Sequence, residues 1–356
     1  MLPYWLLFSF FAAGAIRTTP VERRTGAGPV FALGALAVAV MIGLRYHVGG
    51  DWEPYAQMFE DASWLDLREA LTVGDPAYSA LNWLVNALGL RIWAVNLVCG
   101  AIFAWGLVRF CAQQPNPWLA ALAAIPYLVI VVAMGYSRQG VAIGIILAGL
   151  SRLEQGKLWA FTLYVIPAVL FHKSAIVVLP IAALSVRQSR LVTLLIMLLF
   201  GIMLYYLFIQ SSIDRLVTNY IDAQYDSGGA AVRIAMNIPP ALLFLLLQRR
   251  IAAGDEQQRK LWRNFSIAAC AAMVLLFVIS SSTAVDRMAL YLIPLQLYVL
   301  SRLPDAIGRG RTSGLVLAGV ILYSAAVQFV WLNYARHAEL WVPYRVYPIG
   351  SDDPTI

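Results

Sequence analysis

Apolar runs alternate with short polar breaks along the whole chain, and most runs reach the roughly 17–25 residues that a helix needs to cross a bilayer. Backbone amides inside a bilayer have no water to bind, so the runs must be helical. The pattern predicts an all-α fold, a polytopic transmembrane helix bundle of about 11–14 membrane helices, counting short or re-entrant ones. It forms a single integral membrane domain spanning residues 1–356.

The first run, Leu2 to Ile16, has no basic residue before it and reads as a retained span with its N-terminus outside. Arg17, Arg23 and Arg24 then hold the next segment in the cytoplasm. A second span, Pro29 to Leu44, leads to an acidic outer (periplasmic) loop, 45–75. Within it Trp52, Tyr55, Met58, Phe59 and Ala62 are spaced for a helix lying in the interface. Pro76 to Leu90 is too short for a crossing and is expected to be re-entrant or superficial.

Further spans are predicted at 91–111, 118–134 and 136–152. The turn between the last two is minimal, which places Tyr136-Ser137-Arg138-Gln139 at the outer start of a helix. His172-Lys173 interrupts the apolar stretch 158–186, so two short helices, helped by Pro167 and Pro180, are expected to meet there on the outer side. Beyond them the reading gives a span at 191–209, a second outer loop at 210–229, and spans at 230–247 and 264–279 flanking the basic segment 249–263. A short outer turn at 280–287, spans at 288–300 and 313–331, and an outer C-terminal tail, 333–356, complete it.

Composition agrees with this layout. Of 356 residues 61% are hydrophobic and 13% charged, against the apolar share of about 45–50% usual for soluble globules. A net charge of +7 would point to nucleic acid in a soluble protein. Here it is an orientation signal, because the assigned cytoplasmic loops hold 16 of 26 Lys+Arg and 5 of 19 Asp+Glu. The partner implied by this distribution is the lipid bilayer, with no nucleic acid. Cys99, Cys111 and Cys270 fall in or at the ends of spans, with neither a disulfide framework nor metal-ligand spacing.

Arg45, Arg138, His172, Lys173, Arg233, Arg287 and Arg345 all emerge on the outer side, mostly in the first or last turn of a span. Guanidinium groups pair two-pronged with phosphate oxygens, and converging arginines suit a diphosphate. Arg138 and Arg233 also open helices, where backbone amides add to anion attraction. Ordinary alternatives stand beside this: a helix-end anchor for Arg138, an ion pair of Arg287 with its neighbour Asp286, and plain solvation for Arg345. Trp52, Tyr55, Tyr136, Gln139 and Tyr225 are candidates for sugar contacts, and the aromatics among them equally fit an interfacial belt. Two groups have the chemistry of a general base: His172, which also fits a packed, hydrogen-bonded core role, and Asp51, which also fits a role in orienting Arg45. No Gly-rich phosphate loop or Asp-x-Asp metal motif occurs, so no cofactor or metal is called for.

The stretch Arg45-Tyr46-His47-Val48-Gly49-Gly50-Asp51-Trp52-Glu53-Pro54-Tyr55, with Gly74-Asp75-Pro76-Ala77-Tyr78, Ser137-Arg138-Gln139, Phe171-His172-Lys173-Ser174-Ala175 and Gly228-Gly229 before Arg233, resembles EpsG-type proteins. These are relatives of Wzy-type O-antigen, capsule and exopolysaccharide polymerases. The resemblance runs from about Arg45 to Arg287, and the order of the short motifs carries it. It implies a bacterial inner-membrane glycosyltransferase similar to the GT-C class, metal-independent, acting on undecaprenyl-diphosphate-linked oligosaccharide at the periplasmic face. Chain-length regulator and flippase proteins are the implied partners. It further implies that Arg45, Arg138 and Arg233 bind the donor diphosphate and that His172 and Asp51 are the groups available to activate the acceptor. Arg287 joins the diphosphate set through its position. The competing readings are a lipid-oligosaccharide transporter or flippase and a non-catalytic assembly subunit.

Overall fold

A computed structural model describes residues 1–17, 28–186, 189–204, 229–278, 282–308 and 310–349. The chain is all-helical, a polytopic helical membrane protein. Most of the second outer loop at 210–229, with Tyr225 and Gly228, lies outside the described residues, as do the last seven residues of the tail.

The first half contains α1 (Leu2–Arg17), α2 (Pro29–Gly43), α3 (Trp52–Asp61), α4 (Leu67–Ala70), α5 (Pro76–Ala87) and α6 (Ile92–Cys111). Then come α7 (Pro117–Ala124), continued by a π-helix (Ile125–Ala133), α8 (Ser137–Glu154) and α9 (Leu158–Phe171). A 3-10 turn (Lys173–Val177) leads into α10 (Val178–Ser185) and α11 (Arg190–Leu204). The second half holds α12 (Ala230–Ala235), α13 (Ile238–Ile251), α14 (Glu256–Val278), α15 (Ser282–Ala289), α16 (Pro294–Ile307) and α17 (Arg311–Tyr334). Proline at the first helical position starts α2, α5, α7 and α16, where a missing amide hydrogen costs nothing. Asp66 and Glu69 form a reciprocal capping box on α4.

By length and apolarity α6, α14, α17 and the α12–α13 stretch (Ala230–Ile251) can each cross a membrane, and shorter apolar helices accompany them. The centre is α7, its π-helical continuation and α8, whose residues are buried almost throughout, as expected of helices apolar on every side. Glycines let α8 and α6 approach closely: a Cβ on Gly144 would lie 2.7 Å from the Phe103 Cα. With no hydrophobic force between helices in lipid, such close backbone contact is a main source of packing energy.

Three segments differ from the sequence expectation. The basic stretch before the predicted 264–279 span is part of α14, because Trp262 there is buried, stacks on Tyr298 at 4.1 Å and donates to the Glu154 carboxylate. The predicted outer turn at 280–287 is mostly the helix α15. The tail, expected to be solvated, folds back onto the bundle: Trp341 is buried and its indole N–H donates to the Ile130 carbonyl. Tyr46 and Tyr347 amides donate to the Arg345 and Leu44 carbonyls, so the tail pairs with the turn that follows α2.

Candidate functional site

Asp51, Arg138, His172-Lys173 and Arg287 occupy four separate segments of sequence, and the fold gathers them at the end of the bundle where α8 begins. The short link Tyr136 between the π-helix and α8 fixes the direction of Arg138. Gly49 makes the neighbouring turn possible: its φ is +108°, and a Cβ there would meet the Met134 carbonyl at 2.6 Å.

Arg138 donates from Nη1 to Asp75 Oδ2 at 2.7 Å, and its guanidinium lies over the Tyr55 and Tyr78 rings at 5.6 and 6.0 Å. Its Nε is buried and makes no hydrogen bond. Asp75 precedes Pro76 at the N-cap of α5 yet makes no capping bond. Its carboxylate instead accepts from Arg138 and from the Lys173 amide, tying α5, α8 and the 172–173 break together. Burial raises its pKa against the pull of Arg138.

His172 is extended between α9 and the 3-10 turn, and its buried Nδ1 has no hydrogen-bond partner. Burial, then Arg138, Arg287 and Lys173, push its pKa down to about 3, so the ring is neutral at physiological pH. Asp51 is half-buried at the N-cap of α3. Desolvation raises its pKa, while Arg287 and then Arg138 oppose the rise, which puts its carboxyl in the field of both guanidinium groups. Gln139 is buried and donates from Nε2 to the Arg287 carbonyl at 2.5 Å, holding α15 against α8.

The remaining arginines are placed differently from one another. Arg45 does not line the rim; its guanidinium is buried and donates to the Ile42 and Val48 carbonyls, Asn96 Oδ1 and Ser137 Oγ. With those bonds made it braces the start of α8 from behind instead of facing a ligand. Trp52, 5.8 Å from the Arg45 guanidinium and edge-on to Tyr46, is likewise buried packing and not an open platform. Arg233 on α12 takes both oxygens of Asp286, with the closest contact 2.6 Å. The neighbour-in-sequence pair Asp286–Arg287 is therefore not the ion pair that forms. Tyr136 lies in the electrostatic field of Arg233, Asp51, Asp286 and Arg287, linking this pair to the cluster. Tyr55 is buried with its hydroxyl 3.5 Å from the Arg138 amide nitrogen, where it accepts a long bond.

Asp75 and Tyr78 were absent from the site expected from sequence. The signal available for both was their place in the Gly74-Asp75-Pro76-Ala77-Tyr78 motif of the resemblance, and for Asp75 also its position immediately before a helix-starting proline.

These features define a helical membrane protein with a cation-rich cluster of polar groups where α8 begins. The chain matches the EpsG family over residues 30–346 and belongs to it. Membership supports a role of the polysaccharide-polymerase type, with glycosyltransferase-like chemistry. No curated protein and no solved structure matches the chain.

Proposed function

We propose that the protein joins lipid-diphosphate-linked oligosaccharide repeat units into polysaccharide at the periplasmic face of a bacterial inner membrane, with undecaprenyl diphosphate as carrier. The observation that carries this reading is the convergence of Arg138, Arg287 and Lys173 on His172, with Asp51 in the field of Arg287 and Arg138 and with Tyr136 between this cluster and Arg233. Those cations suit a diphosphate.

In the reaction an acceptor sugar hydroxyl attacks the anomeric carbon of the growing chain. The bond from that carbon to the diphosphate oxygen breaks, and its electron pair leaves with the lipid diphosphate, which Arg138 and Arg287 stabilise. The hydroxyl proton passes to Asp51, the carboxylate between them. His172 is neutral in the unliganded protein. Diphosphate bound to the surrounding cations would lift the His172 pKa from its depressed value, so the ring becomes a better proton acceptor only with donor in place. Tyr136 lies beside the sugar, while Gln139, Arg45 and Asp75 position the groups that touch substrate.

The test is reconstitution of purified protein in liposomes with lipid-diphosphate-linked repeats. Products longer than one repeat, lost in Asp51→Asn, support the reading. A folded preparation that yields no longer product from its cognate repeat overturns it.

A further inference from the structure

Several hydrogen bonds hold the segment that carries Arg287. Gln139 donates to the Arg287 carbonyl and Arg233 to the Asp286 carboxylate. Asn237, at the turn between α12 and α13, donates to the Ala289 carbonyl at 3.4 Å. These tie α15 to α8, to α12 and to the start of α13. A further bond is of another kind. Tyr291, on the 3-10 turn (Leu290–Leu292) that follows α15, accepts at its hydroxyl oxygen from Ser174 Oγ at 3.3 Å. Ser174 follows directly on Lys173, so this contact joins α15 to the segment of His172 and Lys173.

With it a ring of contacts closes. From α15 the path runs through Gln139 to its neighbour Arg138 on α8, from Arg138 to Asp75, and from Asp75 to the Lys173 amide. From Ser174 it returns through Tyr291 to α15. Tyr291 is fully buried and lies in the field of the Asp75 carboxylate. Its neighbours Leu290 and Leu292 are buried packing, and a phenylalanine at 291 would fill the same space. Burying a hydroxyl costs free energy unless it is bonded. What the hydroxyl adds to a plain ring is therefore its bond to Ser174.

On the function proposed above, we infer that Tyr291 is a positioning residue: through Ser174 it fixes the distance between Arg287, which stabilises the leaving diphosphate, and the His172-Lys173 break. It touches no substrate. An open chain of contacts leaves a hinge, whereas a closed ring moves only when one of its bonds breaks. Without the Tyr291 bond α15 stays tethered to α8 and α12, and the 172–173 break to Asp75, but the two lose their direct link. A misplacement of about 1 Å at groups acting on a transition state can cost up to about 10²-fold in rate. It also changes the field at Asp51. Burial raises the Asp51 pKa, Arg287 and then Arg138 oppose the rise, and the Tyr55 and Tyr136 hydroxyls stand near it. An Arg287 less firmly held opposes the rise less, so the carboxyl keeps its proton to higher pH.

The test measures polymer synthesis by full-length protein in liposomes with its lipid-diphosphate-linked repeat, for wild type, Tyr291→Phe, Ser174→Ala and the double variant. Each single variant should lower kcat by about tenfold with a smaller change in KM. The double variant should lose no more than either, because the same bond is broken in all three. Ser174→Thr, which keeps a hydroxyl, should recover most of the rate lost in Ser174→Ala. In Tyr291→Phe the acid limb of kcat/KM should move to higher pH, a shift that loosened packing alone does not produce. Rates and acid limbs equal to wild type overturn the assignment. So does a fall in rate with the acid limb unmoved, or with additive losses in the double variant. If Tyr291→Phe does not fold, rate and acid limb in Ser174→Ala decide on the same criteria. A folded wild type that makes no polymer from its cognate repeat removes the functional reading, and the assignment falls with it. An active wild type with unaffected variants removes the assignment alone.

Discussion

At the scale of single residues, Arg138 has two tasks that substitutions can separate. Arg138→Ala removes a charge-assisted contact to a developing anion, for which the expected loss is about 10²–10³-fold in turnover. It also strands the buried Asp75 carboxylate. Arg138→Lys keeps the charge and loses the fork, so polymer synthesis measured at matched protein levels should recover only in part. Asp75→Asn should lower activity by misplacing Arg138 with less effect on its charge. His172 gives a pH signature. Its pKa in the folded protein, about 3, lies below its ordinary value near 6.5, so the unfolded chain binds a proton that the folded chain refuses. Stability from this group is therefore complete above about pH 6.5 and is lost as pH falls toward 3. Thermal unfolding in detergent should show His172→Gln to be less sensitive than wild type across that window.

Residue-scale pairing is also where the sequence was least informative. Asp286 and Arg287 are adjacent, and the sequence invites their ion pair, but neighbours on a helix point about 100° apart. Asp286 instead meets Arg233, 53 positions away, and Asp75 meets Arg138, 63 positions away. No local pattern encodes such partners. Arg45 is the same problem in another form: an arginine after an apolar run looks like a rim residue, and only the fold brings Asn96 and Ser137 to it.

At the scale of elements, the apolar runs were legible because bilayer thickness and backbone satisfaction leave a helix little freedom of length. The break at His172-Lys173 and the helix starting at Ser137 fell where the charges indicated. The tail was not legible, because an aromatic, proline-containing segment has no periodicity to announce its docking. Its anchor is Trp341, 2% exposed, and Tyr4 donates its hydroxyl hydrogen to the Trp341 carbonyl. Trp341→Ala should lower stability by about 3–5 kcal/mol, the usual cost of emptying a large aromatic site. Thermal unfolding checks it. Gly144→Leu should be as harmful for the opposite reason, since α6 and α8 would have to separate; chemical denaturation or size-exclusion of the purified variant would report it.

At the scale of the whole molecule, the charge pattern makes one orientation the expectation to test. On the positive-inside count the α8–α9 turn, with Arg152 and Lys157, is expected in the cytoplasm, and we propose that the opposite end, with Asp51, Arg138 and Arg287, faces outside. A transporter would need ionisable groups at intervals through the bilayer, whereas the cluster around Arg138 occupies one end of the bundle. Orientation can be read directly with single cysteines in a background lacking Cys99, Cys111 and Cys270, using a maleimide that does not cross membranes. Thr72→Cys in the outer loop and Glu339→Cys beyond α17 are both exposed and should label in cells with a permeabilised outer membrane and an intact inner one. Lys157→Cys, exposed at the other end, should label only after the inner membrane is breached. Labelling of Lys157→Cys before that point, or protection of both outer positions, would invert the protein and leave the arginine cluster facing the cytoplasm, where periplasmic chain assembly could not use it.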